Sequence, residues 1–373
     1  MLKLCVAVNN HNRRTLMRIL SAIAACFMLS SILFGVQAPA QNPTNKTGVI
    51  GLMHAIHSTN DIDKTMAFYR DVFALNGQIG AFDPKGPRIL TNAPTATLRY
   101  AMTNLRGAFS FELTQFADVE RQLNKQPDIQ DPGAPIMKIL VRDLDAIVLN
   151  AKKANAPILT KGGAPIMAPT PIGNARAIVM RDPDGYFIEA IQATPADIAA
   201  TDRLPQPAGR GGNANANAQA IPSPIVGAIL GVTVRDMDET LKFWNDVLGM
   251  EIPKAGNFSN DSAMLNLLGL PSDASYRISA GVISGSTARI EFMEFKGVPR
   301  KPFDLRVTDA MACGMALRIG HIRDLLAKIK ANGGRVMSRN EELVEWNETT
   351  RNVFVKDPNG LNLELVGSAD PNL

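Results

Sequence analysis

The chain has 373 residues, of which 46% are hydrophobic and 20% are charged, and this globular composition is long enough for two domains. The formal net charge of +4 is carried by Lys3, Arg13, Arg14 and Arg18, because the first forty residues contain no acidic residue. The neutral remainder excludes the broad basic surface that binds nucleic acid or anionic membranes.

The first forty residues are typical of a targeting segment. Three arginines precede an apolar run from position 19 to 36, and Ala38-Pro39-Ala40 supplies the small residues of a cleavage site. We expect residues 1–40 to be a secretory signal peptide, with Met17 as an alternative start, and the mature protein to be periplasmic or extracellular. A lipoprotein cleaved before Cys26 and a retained membrane anchor are the other interpretations.

Four similar units follow, each predicted as a strand, a helix and three strands. In the first unit, an apolar strand covers 50–58 and a helix begins near Asp61, with Ile62, Met66, Tyr69 and Phe73 on one face. Its last strand covers 109–116. The first strands of the other units are 135–141, 229–234 and 315–319, their helices are 144–155, 236–249 and 322–331, and their last strands contain Glu189, Glu291 and Glu364.

Residues 193–224 separate the second unit from the third. This segment is rich in Gly, Pro, Asn and Ala and has no apolar period, so it is predicted to be a flexible linker. The order of elements predicts a mixed α+β fold of four βαβββ units, paired in chain order into two domains, 48–192 and 225–367. Each pair of units would enclose a cleft between curved sheets.

Two stretches place a glutamate inside an apolar strand directly after a turn. They read R181-D-P-D-G-Y-F-I-E-A-I-Q192 and K356-D-P-N-G-L-N-L-E-L-V-G367, and the glutamates are Glu189 and Glu364. A buried carboxylate is costly unless a cation pairs with it. We therefore expect each glutamate to have a metal or a basic side chain as its partner, with an arginine as the main alternative for Glu189.

The motifs resemble those of one family. D61-I-D-K-T-M-A-F-Y-R-D-V-F73 and D236-M-D-E-T-L-K-F-W-N-D-V-L-G249 are similar to the first helix of vicinal oxygen chelate proteins, and both Asp-Pro turns resemble that family's turn before its last strand. Glyoxalases, extradiol dioxygenases and fosfomycin-resistance proteins share the architecture. The resemblance implies a divalent metal in a cleft and a small substrate that chelates it through two adjacent oxygens.

The ligand positions implied by the resemblance are filled unevenly. In the N-terminal half they fall on His54, Glu112 and Glu189, with Ile136 at the fourth position. In the C-terminal half the first-strand positions fall on Ile229 and Gly314. Glu291 and Glu364 remain there without an imidazole and are interpreted as relics or ion-pair partners. We therefore expect a metal site in the N-terminal half and a degenerate site in the C-terminal half.

One imidazole and two carboxylates suit Fe(II), Mn(II), Ni(II) or Zn(II). The expected function is that of an exported, metal-dependent lyase, isomerase or ring-cleavage dioxygenase, with Glu112 or Glu189 as general base. Each ligand has a simpler interpretation: His54 as a hydrogen-bonded cleft histidine, Glu112 as a solvated glutamate. The alternative function is therefore a non-catalytic protein that binds a small molecule in the same cleft. His57 faces the helix and is interpreted as a packed histidine, and Cys313 as inert core.

Overall fold

The computed structural model describes residues 48–370 except positions 84, 107, 124 and 205–222. The predicted signal peptide at 1–40 and most of the predicted linker lie outside the described residues. Within the part of the chain that is described, no helix combines the length and the apolar character needed to cross a lipid bilayer.

All four predicted units are present, but the third has a second short helix and two strands, instead of three strands, after its first helix. The first comprises β1 Val49–Ser58, α1 Ile62–Phe73, β2 Ile79–Ala81, α2 Lys85–Leu90, β3 Thr97–Asn104 and β4 Ser110–Ala117. The second comprises β5 Pro135–Val141, α3 Leu144–Lys153, β6 Ile166–Thr170, β7 Gly173–Arg181 and β8 Phe187–Gln192, and the helix α4 Pro195–Asp202 follows it.

The third unit comprises β9 Ile225–Thr233, α5 Met237–Lys242 with a π-helical extension Phe243–Val247, α6 Ser262–Leu267, β10 Ser275–Val282 and β11 Arg289–Lys296. The fourth comprises β12 Cys313–Ile319, α7 Ile322–Ala331, β13 Arg335–Val336, a 3-10 turn Arg339–Glu341, β14 Val344–Glu345, β15 Thr350–Lys356 and β16 Asn362–Ser368.

The first long helix forms where the sequence pattern predicts it. The side chain of Asp61 caps α1 by accepting hydrogen bonds from the backbone N–H groups of Asp63 and Lys64. The predicted apolar face, which includes Tyr69 and Phe73, is buried. This face fixes α1 against the back of the sheet that carries β1.

The predicted linker contains a helix at its start. Thr194 and Asp197 form a capping box in which each side chain accepts a hydrogen bond from the other residue's backbone, and α4 follows. The prediction of a flexible segment from residue 193 is therefore wrong for 195–202. The cause is local, since a capping pair with Pro195 at the first helical position outweighs the surrounding low-complexity composition.

The strands form two sheets. Sheet A has nine strands in the order β13-β15-β16-β12-β1-β4-β3-β2, with β14 paired to β15. Sheet B has seven, in the order β10-β11-β9-β5-β8-β7-β6. The structure has helices, and both of its sheets contain parallel and antiparallel strand pairs. This confirms the predicted mixed α+β class.

The pairing of the units corrects the one expected from chain order. β1 pairs antiparallel with β12, and β5 pairs antiparallel with β9, so the first unit joins the fourth and the second joins the third. Both segments predicted as domains, 48–192 and 225–367, contribute strands to both sheets. All four opening strands are largely apolar, and their patterns do not specify which two of them become neighbours.

The helix-covered faces of the two sheets share one apolar core, which includes Tyr69, Trp244 and Leu325. The opposite face of sheet B is covered by α6, whose Met264 and Leu265 belong to a second apolar cluster with Phe187. The opposite face of sheet A is open. Because of this difference, a functional site is expected on sheet A.

Candidate metal-binding cleft

The open face of sheet A lines a cleft of about 2230 Å³, and His54, Glu112 and Glu364 lie in its wall. Nε2 of His54 is 2.9 Å from Oε2 of Glu112. Apart from Glu112, this buried nitrogen has no hydrogen-bond partner among the described residues. Charge interactions link Glu364 to both His54 and Glu112, so the three groups form one electrostatic unit.

Strand register places these groups. The β1–β12 register shifts between Leu52 and His54, a bulge that sets the imidazole's direction. Glu112 on β4 is the neighbour of Ile56 on β1, and Glu364 on β16 is the neighbour of Ala316 on β12. Because β1 and β12 are themselves paired, the two glutamates flank the central strand pair from opposite sides.

Burial and charge determine the ionisation of this site. Burial raises the pKa of Glu364, and the neighbouring Glu112 raises it further. Nδ2 of Asn352 donates a hydrogen bond of 2.6 Å to Oε1 of Glu364, which fixes that carboxyl group. Burial alone would lower the pKa of His54, but Glu112 and Glu364 outweigh it and the pKa is raised. The cleft floor thus favours a positive charge.

The position equivalent to His54 on β12 is Gly314, which lies two residues before Ala316, as His54 lies two residues before Ile56. A Cβ atom on Gly314 would lie 2.3 Å from the carbonyl oxygen of Asn362. No side chain fits at this position unless β16 moves. The backbone packing therefore excludes a protein ligand at this position, the one equivalent to His54.

The structure does not bring Glu189 to His54 and Glu112. Glu189 lies on sheet B, and its Oε2 is 3.0 Å from Nζ of Lys138. The same Nζ is 2.5 Å from Oε1 of Glu291. Lys138 and Glu189 are fully buried and Glu291 is 3% exposed. The predicted ligand is thus one carboxylate of a buried ion triad, which we call the Lys138 triad.

The triad's charges depend on one another. Burial raises the pKa of Glu189, an effect that Lys138 opposes and Glu291 reinforces. Burial alone would lower the pKa of Lys138, but the two carboxylates raise it above its ordinary value. Besides these ion pairs, Nζ of Lys138 and both carboxylate oxygens of Glu189 have no hydrogen-bond partner among the described residues. The ammonium is therefore held charged by two contacts.

Register relates the triad to the cleft of sheet A. Lys138 is the neighbour of Glu189 on β8, just as Ile56 is the neighbour of Glu112 on β4. An ammonium thus lies between the two glutamates of sheet B, whereas residues without charge, Ile56 and Ala316, occupy the matching places in sheet A. Sheet B carries its own cation at these places, and sheet A does not. The sequence did offer a signal, since Lys138 is the one charged residue in the apolar stretch 135–141.

A third group of ionisable residues joins the two sheets. Nε2 of His57 is 2.9 Å from Oδ2 of Asp182 and 3.6 Å from Oδ2 of Asp184. One donor atom from each residue lies within 4.8 Å of the others, so this buried group has the donors that a metal ion would need. Both aspartates belong to the first of the two Asp-Pro turns.

The carboxylates of this group already have partners. Tyr69 donates a hydrogen bond to Asp182 at 3.2 Å, and Thr65 and the backbone N–H of Asn60 donate to Asp184 at 2.5 and 2.7 Å. Burial would lower the pKa of His57, but the two aspartates raise it to about 9. An imidazolium between two carboxylates therefore accounts for the group.

The matching interface of the other half supports this interpretation. There, Val232 precedes α5 and lies at the place of His57. Val232 pairs with Phe292, the residue after Glu291, just as His57 pairs with Leu113, the residue after Glu112. Trp244 donates to Asp357 at 3.3 Å, and the second aspartate is replaced by Asn359. Loss of the histidine thus coincides with loss of one carboxylate, and burial raises the pKa of Asp357. Charge balance within the protein explains this covariation.

The outcome for the predicted residues is mixed. His54 and Glu112 lie together, and Glu189 is elsewhere with Glu291. Glu364, interpreted from the sequence as a relic or an ion-pair partner, interacts electrostatically with His54 and Glu112. Cys313 is buried, and burial raises its thiol pKa to about 12, as expected for an inert core residue. His57 faces the helix side, as predicted.

Known proteins are similar to this chain in sequence. Residues 226–365 match the family model of the Glyoxalase/Bleomycin resistance protein/Dioxygenase superfamily. A lactoylglutathione lyase of Arabidopsis thaliana is 24% identical over 204 residues, which are 54% of this chain and 55% of the relative. The chain thus spans little more than half the length of the curated relatives it matches.

Solved structures extend the likeness to most of the chain. Glyoxalase I from Zea mays superposes with a TM-score of 0.53 at 18% identity, covering 85% of this chain and 92% of that one. A putative dioxygenase from Bacillus subtilis gives a TM-score of 0.50 at 13% identity, covering 87% and 86%. At such identities the likeness concerns the fold.

Proposed function

Because the chain resembles the glyoxalase, bleomycin-resistance and dioxygenase superfamily in sequence and fold, as its helix and turn motifs predicted, we propose that it is a divalent-metal enzyme. His54, Glu112 and Glu364 would hold the metal, and the substrate would be a small molecule that offers two adjacent oxygens. The observation that carries this proposal is the contrast between the sheets: sheet B neutralises its glutamates with Lys138, whereas sheet A leaves two glutamates and an imidazole at an open cleft.

The donor types suit such an ion, but among the described residues only His57, Asp182 and Asp184 already place three donor atoms within 4.8 Å of one another. Binding in the cleft would draw His54, Glu112 and Glu364 closer together. One imidazole nitrogen and two carboxylates suit Fe(II), Mn(II), Ni(II) or Zn(II). Among the described residues, the buried Nε2 of His54 lacks a partner besides Glu112, which is the state expected of a ligand atom. When bound, the metal would act as a Lewis acid that polarises substrate oxygens.

The chain's own residues would supply positioning and proton transfer. Asn352 holds one oxygen of Glu364 and leaves the other for a ligand or a proton. Glu112 is 8% exposed and is the second carboxylate within reach of a bound substrate. Either can serve as general base, a role that Glu189 cannot share from sheet B. Gly314 adds no ligand, so the remaining coordination positions of the ion would be left to the substrate's own oxygens.

Reaction type follows from the relatives only in outline. The curated relatives are named lactoylglutathione lyases, and one of the similar structures is a putative dioxygenase. Proton transfer next to an oxygen that is bound to metal is common to lyase and isomerase chemistry. We therefore place the protein among metal-dependent lyases, isomerases or ring-cleavage enzymes.

Metal binding tests the proposal directly. Protein purified without chelators and reloaded with Mn(II), Ni(II) or Zn(II) is expected to hold one ion per chain, not two, because Lys138 occupies sheet B. His54→Ala and Glu364→Gln should weaken binding by more than the roughly 10–100-fold that loss of a supporting hydrogen bond costs. Isothermal titration and elemental analysis provide the measurements.

Two control variants test whether the metal binds at the cleft of sheet A and not elsewhere. Glu345→Gln changes an exposed glutamate, and Glu189→Gln changes one of the two glutamates of the Lys138 triad. Both variants should keep metal affinity within about twofold of the wild type, a difference that corresponds to less than 0.5 kcal/mol. Loss of metal on Glu189→Gln with the fold intact by circular dichroism would contradict the assignment. Wild-type protein without metal after reconstitution would remove it altogether.

A second candidate function is a non-catalytic protein that binds a small molecule in the same cleft. The observation in its favour is Gly314, where the backbone leaves no room for the fourth ligand. His54→Ala discriminates between the two functions. It should abolish metal uptake and turnover in an enzyme, but leave ligand affinity unchanged in a binding protein that needs no metal.

A further inference from the structure

An aromatic cluster stands at one end of the cleft of sheet A, beyond the metal-binding groups. The rings of Phe82 and Tyr100 are stacked, with centroids 4.1 Å apart and planes inclined by 24°. Trp346 meets Phe82 edge-on, with centroids 6.2 Å apart. All three side chains line the cleft. We call Phe82, Tyr100 and Trp346 the aromatic shelf.

The shelf is assembled from both units of sheet A. Tyr100 lies on β3, Phe82 follows β2, and Trp346 follows β14 of the fourth unit. A Cβ atom on Gly86, in α2, would lie 2.8 Å from Cζ3 of Trp346. The absence of a side chain at Gly86 therefore allows α2 to lie directly against the indole ring. This close contact fixes the shelf before any ligand arrives.

The shelf also remains accessible. Phe82 is 37% exposed, and Tyr100 and Trp346 are half-buried. A large aromatic surface left open in a cleft beside polar groups is typical of a ligand pocket. An aromatic cluster that served packing alone would gain more by full burial.

Register gives the separation between the shelf and the metal-binding groups. Met102 on β3 is the neighbour of Glu112, and Tyr100 lies two residues further along β3. Two residues span about 6.8 Å along a strand, and neighbouring strands are about 4.8 Å apart. Tyr100 is thus roughly 8 Å from the backbone of Glu112, a distance that a molecule with one or two rings bridges.

We propose that the aromatic shelf is a stacking platform, and that the substrate carries a flat, conjugated ring system next to its two adjacent oxygens. This inference rests on the proposed function for the position of the oxygens, but the platform itself rests on the shelf geometry. The ring would stack on the face of Tyr100 that Phe82 leaves free, with Phe82 supporting Tyr100 from behind and Trp346 closing the same end of the cleft. Recognition would then combine a polar end at His54 with an aromatic end at the shelf.

Two probes with adjacent oxygens test the proposal. 2,3-Dihydroxynaphthalene has the flat ring system, and oxalate lacks it. In metal-loaded wild type, the naphthalene probe should quench Trp346 fluorescence, and this quenching should be absent in Trp346→Phe, which leaves the buried Trp244 as the other tryptophan.

Variants of the shelf measure its contribution. Phe82→Ala and Tyr100→Ala should each weaken naphthalene binding by about 3- to 12-fold, the equivalent of a lost aromatic pair, while oxalate affinity stays within twofold. Tyr100→Phe, which keeps the ring, should retain wild-type affinity. An unchanged ratio of the two affinities in both alanine variants would overturn the proposal.

Metal content distinguishes this inference from the proposed function. If the chain takes up no metal, the proposed function fails, and the metal-free protein is titrated with the naphthalene probe instead. Quenching of Trp346 that is lost in Phe82→Ala would still support the platform. Absence of quenching in metal-free wild type under those circumstances would overturn the platform as well.

Discussion

Lys138→Met is expected to destabilise the protein by about 3–5 kcal/mol, the cost of removing one partner from a buried ion pair. The variant leaves Glu189 and Glu291 facing each other in sheet B without a cation, and both are almost fully buried. Chemical denaturation at pH 7 measures the change in the free energy of unfolding. The loss should shrink as the pH falls, because burial raises the pKa of Glu189 and its carboxyl group then takes up a proton.

A triple variant controls for packing. Lys138→Met combined with Glu189→Leu and Glu291→Leu removes all three charges at similar volume, and such replacements are often neutral or stabilising. It should recover most of the stability that the single variant loses. A single variant within about 1 kcal/mol of wild type would contradict the description of the triad as a buried charge cluster.

His57→Val is expected to have the second large effect, again about 3–5 kcal/mol, because it leaves the carboxylates of Asp182 and Asp184 without their cation. The matching interface between the third and fourth units suggests the control variant. His57→Val with Asp184→Asn reproduces the combination of Val232 and Asn359 at the other interface, and it should recover at least half of the loss. A double variant less stable than the single one would contradict the charge-balance explanation.

The same cluster gives the wild type a pH dependence of stability. The pKa of His57 is about 9 in the folded protein and about 6.5 when unfolded. A raised folded-state pKa means that this stabilisation is complete below pH 6.5 and is lost as the pH rises through 9. The expected loss is about 3 kcal/mol, from 1.36 kcal/mol per unit of pKa. Denaturation at pH 6 and pH 9.5 should show it in wild type, and not in the double variant.

The sequence was sufficient to predict the first strand and the first helix of each unit and the fold class, because caps, helix periodicity and the two Asp-Pro turns are local signals. Pairing of the units was not predictable in the same way. The first strands, such as β1 and β5, are alike in apolar character, and the preference of β1 for β12 arises from the packing of the whole molecule. Chain order was therefore a poor guide to spatial neighbours.

The residues of the candidate site that belong to one unit were predictable from the sequence, and the residue contributed by another unit was not. His54 and Glu112 belong to one unit, so their shared direction followed from strand alternation within that unit. Glu364 was set aside because its own half lacks an imidazole, a reason that fails once its unit pairs with the first. Lys138 was overlooked although a lysine within an apolar strand is a strong signal of a buried ion pair.

The union of the first unit with the fourth has a consequence for synthesis. Sheet B closes once β11 has been made, but β1 must wait for β12 and β16, more than 250 residues later in the chain. During translation, the edge of β1 that later meets β12 remains open to wrong partners. Among the described elements, the cleft of sheet A is therefore the last to be completed, and His54, Glu112 and Glu364 can come together only after β16 has been synthesised.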